Sequence, residues 1–157
     1  MSVEIDSNDP VGSLVKAGVT HDKSDTSSSS SFAIAGVPVG GTTTVGERHV
    51  WKLPSESKLE VVFGPEKLSK KIVKIFKKEL QVGDPAFDSL VYIDTADKDV
   101  TQRFMAAKGR RGIVSGFIAE GGRVAVDKEQ VVFEVSGVAT EDQLMQMAWF
   151  VADVMAF

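Results

Sequence analysis

Cysteine is absent from all 157 residues of the chain. This removes a disulfide framework, a thiolate metal site and a cysteine nucleophile, and it suits a reducing compartment such as the cytoplasm. Histidine is nearly absent too. Only His21 and His49 occur, so no multi-histidine metal site can be built and a catalytic triad would depend on His49. Long apolar runs are missing: the most apolar stretches, residues 113–119 and 144–157, fall short of the roughly 20 residues a membrane helix needs. The start, Met1-Ser2-Val3-Glu4-Ile5-Asp6, is acidic and unlike a secretory signal or transit peptide. An excess of positive charge is also lacking. The net charge is −4 and the isoelectric point about 5.2, which argues against nucleic acid as a partner of the protein as a whole.

What remains is ordinary globular material, 43% hydrophobic with a mean hydropathy near zero and of a length that suits one domain. The charge is unevenly spread. Residues 1–31 hold five acids against two lysines and end in a run of serines. Such a stretch buries too little apolar surface to offset its ordering entropy, so a disordered tail is expected over residues 1–31 and a single ordered domain over residues 32–157.

Within that domain, strands are expected at 32–35, 42–45, 49–53 and 58–63, the last alternating so that Leu59, Val61 and Phe63 face the core. Gly64-Pro65-Glu66 suits a helix start, and the helix should run to about Leu80. Leu90-Val91-Tyr92-Ile93 is apolar at consecutive positions, the pattern of a central strand covered on both faces. Helices should follow at 96–107, capped by Asp94 or Thr95, and at 110–119, then a hairpin of 123–126 with 130–135. Thr140 and Gln143 form a capping box for a last helix, with Leu144, Met147, Val151, Val154 and Met155 along one side. This order predicts an α+β fold, a small and mostly antiparallel sheet with helices packed on one face. A parallel crossover between strands 58–63 and 90–93 is the alternative.

The helix expected over 65–80 has a cationic face. At 100° per residue, Lys67, Lys70, Lys71, Lys74, Lys77 and Lys78 fill an arc of about 120° opposite Leu68, Ile72, Ile75, Phe76 and Leu80. Such a face binds a phosphate backbone, an anionic lipid surface or an acidic protein, or is simply solvated. Lysine in place of arginine, and no interleaved aromatics, speak against nucleic acid. Lys108-Gly109-Arg110-Arg111 is a candidate extension of the patch.

The string Gly83-Asp84-Pro85-Ala86-Phe87-Asp88 lies between a helix and a strand. Asp84 and Asp88 are close enough in a turn to share a metal or acid–base work. The simpler role is structural: Asp before Pro bonds nearby backbone amides, and Phe87 anchors in the core. The string resembles a Gly-Asp-Pro-x-Phe-Asp motif found in a loosely defined set of uncharacterised bacterial proteins. In those the motif is similarly preceded by a Gly-rich β region, compare Ala35-Gly36-Val37-Pro38-Val39, and followed by a strand, helices and a hairpin, so the resemblance spans about residues 32–156. It implies an α/β domain and transfers no activity. Many such proteins look membrane-attached, which this chain does not.

Other candidates are weaker. Glu47-Arg48-His49 reads as an exposed turn. Residues 36–41 are glycine-rich but lack the Gly-Lys-Ser/Thr ending of a phosphate loop, and Ser115 lacks the spacing of a nucleophile elbow. Trp51, Trp149 and Phe150 suit core or interface anchoring. The leading expectation is therefore a non-enzymatic interaction or accessory domain with a protein partner, no cofactor and no metal. The alternatives are a binder of anionic surfaces through the lysine face, and a hydrolase built on Asp84, Asp88 and His49.

Overall fold

The computed structural model describes residues 3–27, 33–34, 37–38, 45–66 and 80–157. Among these, eight strands and five helices follow one another along the chain. They are α1 (Pro10–Lys16), β1 (Thr20–Ser27), β2 (Ala33–Ile34), β3 (Val37–Pro38), β4 (Val45–Lys52), β5 (Val61–Pro65), α2 (Pro85–Leu90), β6 (Val91–Thr95), α3 (Lys98–Met105), α4 (Lys108–Ala119), β7 (Arg123–Val126), β8 (Gln130–Ser136) and α5 (Glu141–Ala156).

Among the described residues, six strands form one sheet in the order β1-β4-β8-β7-β5-β6, and β2 pairs with β3. Every neighbouring pair in the large sheet is antiparallel. The fold is α+β, as the element order predicts. The parallel crossover is overturned, because β5 and β6 are antiparallel neighbours with Phe63 opposite Ile93.

Alternation decides which face meets the helices. Trp51, Val131, Val126 and Val61 are cross-strand partners in turn, as are Phe133, Val124, Phe63 and Ile93, and all are buried. The helices reach this face through aromatic rings. Phe133 meets Phe117 of α4 at 4.9 Å and Phe150 of α5 at 5.6 Å between centroids, and Phe104 of α3 meets Phe150 at 5.5 Å. Burying each such ring contributes roughly 1.5–3 kcal/mol, which is why the layer forms on this side.

The disordered tail expected over 1–31 is overturned between residues 3 and 27. Asp9 caps α1 by accepting from the Gly12 amide at 2.9 Å, and Pro10 occupies the first turn. Leu14 then buries completely and α1 packs on α5. Leu14 and Val19 bury here, but Gly12 and Gly18 make a helix between them marginal by propensity alone. β1 is polar because it is an outermost strand, held by main-chain pairing with β4.

Other boundaries differ for local reasons. The strand expected at 49–53 begins earlier, as β4 from Val45 to Lys52 without a turn at Glu47-Arg48-His49, and residues 42–44 lie outside the described residues. Pro65 ends β5 and a helix opens directly after it at Glu66, as expected, while residues 67–79 lie outside the described residues. Leu90 to Ile93 is not a central strand. Leu90 closes α2, and β6 is the last strand of the sheet, so the apolar run serves two elements in succession. Asp97, not Asp94 or Thr95, caps α3, while the Thr95 hydroxyl bonds Thr101 at 2.6 Å. The hairpin of β7 with β8 and the Thr140–Gln143 capping box stand as expected.

Candidate functional site

Glu47, His49 and Trp51 occupy alternate positions on β4 and point toward the helices, where each is at most 3% exposed. A carboxylate and an imidazole at such depth need partners. The loop before α5 supplies one: the Ala139 backbone N–H donates to Glu47 Oε1 at 2.7 Å. The outermost strand supplies the others. Lys23 Nζ lies 3.1 Å from Glu47 Oε2, and His21 Nε2 lies 2.9 Å from His49 Nδ1. His49 Nε2 in turn lies 3.3 Å from Glu47 Oε1. The His21 ring also stacks on Trp51 with centroids 3.9 Å apart, and the buried Trp51 Nε1 has no hydrogen-bond partner among the described residues.

Chemistry fixes the directions in this chain. The amide of Ala139, first among several donors, holds the Glu47 carboxyl down to about 2, so it is an ionised acceptor near neutrality. His49 Nε2–H must then donate to it. With one proton on each ring, His49 Nδ1 accepts from His21 Nε2–H, which leaves His21 Nδ1 as the lone pair at the end of the series. Burial, reinforced by the neighbouring His49, lowers the basicity of His21. The expected exposed turn at residues 47–49 is thus a buried polar series instead. Its residues lie on alternate positions of a strand that hydrophobic periodicity scores as outward-facing, so pattern analysis missed it.

The Gly83–Asp88 string is a clasp. Gly83 adopts φ +83°, a left-handed conformation that favours glycine. Asp84 caps α2 by accepting from the Phe87 amide at 3.3 Å, and its other oxygen meets Arg111 Nε at 3.1 Å. The capping amide, foremost, holds the Asp84 carboxyl below its usual range. Asp88 accepts from the amides of Val82 at 2.9 Å and Gly83 at 3.1 Å. Phe87 buries in the core and Pro85 fills the first position of α2. Each carboxylate oxygen is engaged, and among the described residues no group of three or more His, Cys, Asp or Glu is placed to hold a metal.

The arginines of residues 108–111 are tethered as well. Arg111 donates to the carbonyls of Met105 and Ala106 at 2.9 and 2.8 Å, while Arg110 donates to the Phe104 carbonyl at 3.0 Å and covers the Phe104 ring at 4.4 Å. They clamp the end of α3 rather than extending a basic patch. Lys67, Lys70, Lys71, Lys74, Lys77 and Lys78 lie outside the described residues. His49 and the pair Asp84/Asp88 do not converge: β4 and β6 are four strand spacings apart in the sheet, or roughly 19 Å. Arg48 points to the opposite face from His49, and Arg103 is exposed on α3.

That opposite face is not covered by the described helices, and it is organised in rows. Arg48, Glu134 and Arg123 are cross-strand partners on β4, β8 and β7. The next row is apolar and crosses four strands: Val50, Val132, Ala125 and Val62. Val62 is 48% exposed. An open depression of about 250 Å³ lies along these rows.

Comparison of the chain with protein-family models, curated proteins and solved structures finds no match. Among the described residues, no helix is long and apolar enough to cross a membrane.

Proposed function

We propose that the chain is a non-enzymatic interaction domain that docks a protein partner on the open face of its sheet. The observation that carries this is the apolar row Val50–Val132–Ala125–Val62, lying beside Arg48–Glu134–Arg123. The charged row sets two guanidiniums against one carboxylate, so it retains a positive surplus. The complementary partner is a protein segment with an apolar stripe bordered by carboxylates, the apolar part supplying burial and the acids fixing orientation. The freedom from cysteine suits the cytoplasm, and the Gly83–Asp88 resemblance suits a bacterial accessory domain. A hydrolase built on Asp84, Asp88 and His49 finds no support in a geometry that separates them.

The test is affinity capture from the native host with wild type, Val62→Asp and Arg123→Glu. Both side chains are exposed, so the variants should fold. A specific partner retained by wild type and lost by both variants is the expected result. A partner retained equally by all three overturns the assignment of the sheet face.

A further inference from the structure

The geometry points to a second interface, separate from the open face: the outer edge of β1 pairs with β1 of a second copy of this chain, in one register. Among the described residues β1 is an end strand whose only sheet partner is β4. Its outer main-chain groups are therefore a template for another strand. From Asp22 to Asp25 the side chains are exposed.

The sequence of the strand selects the occupant. Homodimers most often close on a two-fold axis. An axis normal to the sheet makes two β1 strands antiparallel and keeps both helical layers on one side. Side chains that face each other must then belong to the same face of their strands, so the register moves in steps of two. Centring the axis on Lys23 opposes two lysines, centring it on Asp25 opposes two aspartates, and centring it on Asp22 opposes two more. Centring it on Ser24 sets Lys23 against the partner's Asp25 and Asp25 against the partner's Lys23. It also sets Asp22 against the hydroxyl of the partner's Thr26, and pairs the strands from His21 to Ser27.

The side chains are available for this. Asp25 is exposed and has no hydrogen bond or ion pair among the described residues. Lys23 already meets Glu47 at 3.1 Å, yet its side chain is 54% exposed, and an ammonium has three donors. Charges on an edge ordinarily deter strand addition. Here opposite charges two residues apart deter every one of these registers but one. The result is a continuous sheet through both copies, with β1 at its centre.

The absence of cysteine gives a clean reporter. Opposed residues in an antiparallel pair have Cα atoms about 4.5–5.5 Å apart, within disulfide reach. Ser24→Cys should therefore give a covalent dimer on mild oxidation. Thr26→Cys should not, because two Thr26 residues would sit four positions out of register, roughly 13 Å apart. Sedimentation equilibrium of the full chain should show a dimer. Asp25→Lys, which sets lysine against lysine twice, should raise its dissociation constant about tenfold or more while the melting temperature of the monomer is kept. A monomeric wild type at high protein concentration overturns the proposal. So does a dimer unaffected by Asp25→Lys, or equal oxidation of the two cysteine variants.

Discussion

The carboxylate of Glu47 takes the backbone N–H of Ala139 at 2.7 Å, so one side chain on β4 holds the loop that leads into the last helix. The same carboxylate gathers Lys23 and His49. Three separate parts of the chain therefore meet at one buried acid.

Acid should unfold the protein in two stages. The folded His21 ring resists protonation relative to its ordinary 6.5. As pH falls below about 6.5 the unfolded chain takes up that proton first, and stability declines. Glu47 holds its charge down to about 2 against an ordinary 4.5, so a further loss sets in as pH falls from about 4.5 toward 2. Urea midpoints measured from pH 7.5 to 3 should show both stages. His21→Phe, which keeps a ring over Trp51, should remove the upper one.

Glu47→Ala leaves the Ala139 amide and His49 Nε2–H without their acceptor. At about 1–3 kcal/mol for each unpaired buried donor, the expected loss is roughly 2–6 kcal/mol. Glu47→Gln keeps an acceptor oxygen and should cost less. Chemical denaturation of the two variants checks the order; equal losses would mean that charge, not acceptance, is what the site requires.

At the clasp, Asp84→Ala removes an N-cap and should lower the melting temperature, whereas Asp84→Asn still caps and should lower it less. The ion pair with Arg111 adds little, because it is partly solvated, with side-chain exposures of 19% and 35%. Arg111→Ala should cost more than Asp84→Asn, since it also frees two carbonyls at the end of α3. Calcium or magnesium should leave the melting temperature unchanged.

Gly122→Ala should be among the costliest small changes in the chain. A Cβ there would run into the backbone carbonyl oxygens of Glu134 and Phe117, neither of which can swing away. Overpacking of this kind costs roughly 1–3 kcal/mol. A thermal melt within error of wild type would show that α4 can shift away from β8.

The parts of the fold legible in the sequence are those where local chemistry and burial agree. The capping box at Thr140 and Gln143, the alternation of Leu59, Val61 and Phe63, and the short β7–β8 turn each carry their own signal. β1 carried none, because a polar edge strand owes its place to a partner far along the chain. Glu47 and His49 were illegible for a related reason: each is hidden by groups on other elements, which no local window contains. The Gly83–Asp88 string was legible as a turn, and the structure adds the Arg111 contact that ties it to α4.

The pairing of β4 with β8 joins Lys52 to Gln130 and Gly46 to Ser136. During synthesis the ribbon of β1 and β4 emerges long before the strand that completes its other side. Until β8 leaves the ribosome, β4 presents a bare edge to whatever is nearby. A nascent chain built this way keeps that edge open until the segment up to Ser136 has been made, because pairing between strands so far apart in sequence closes late.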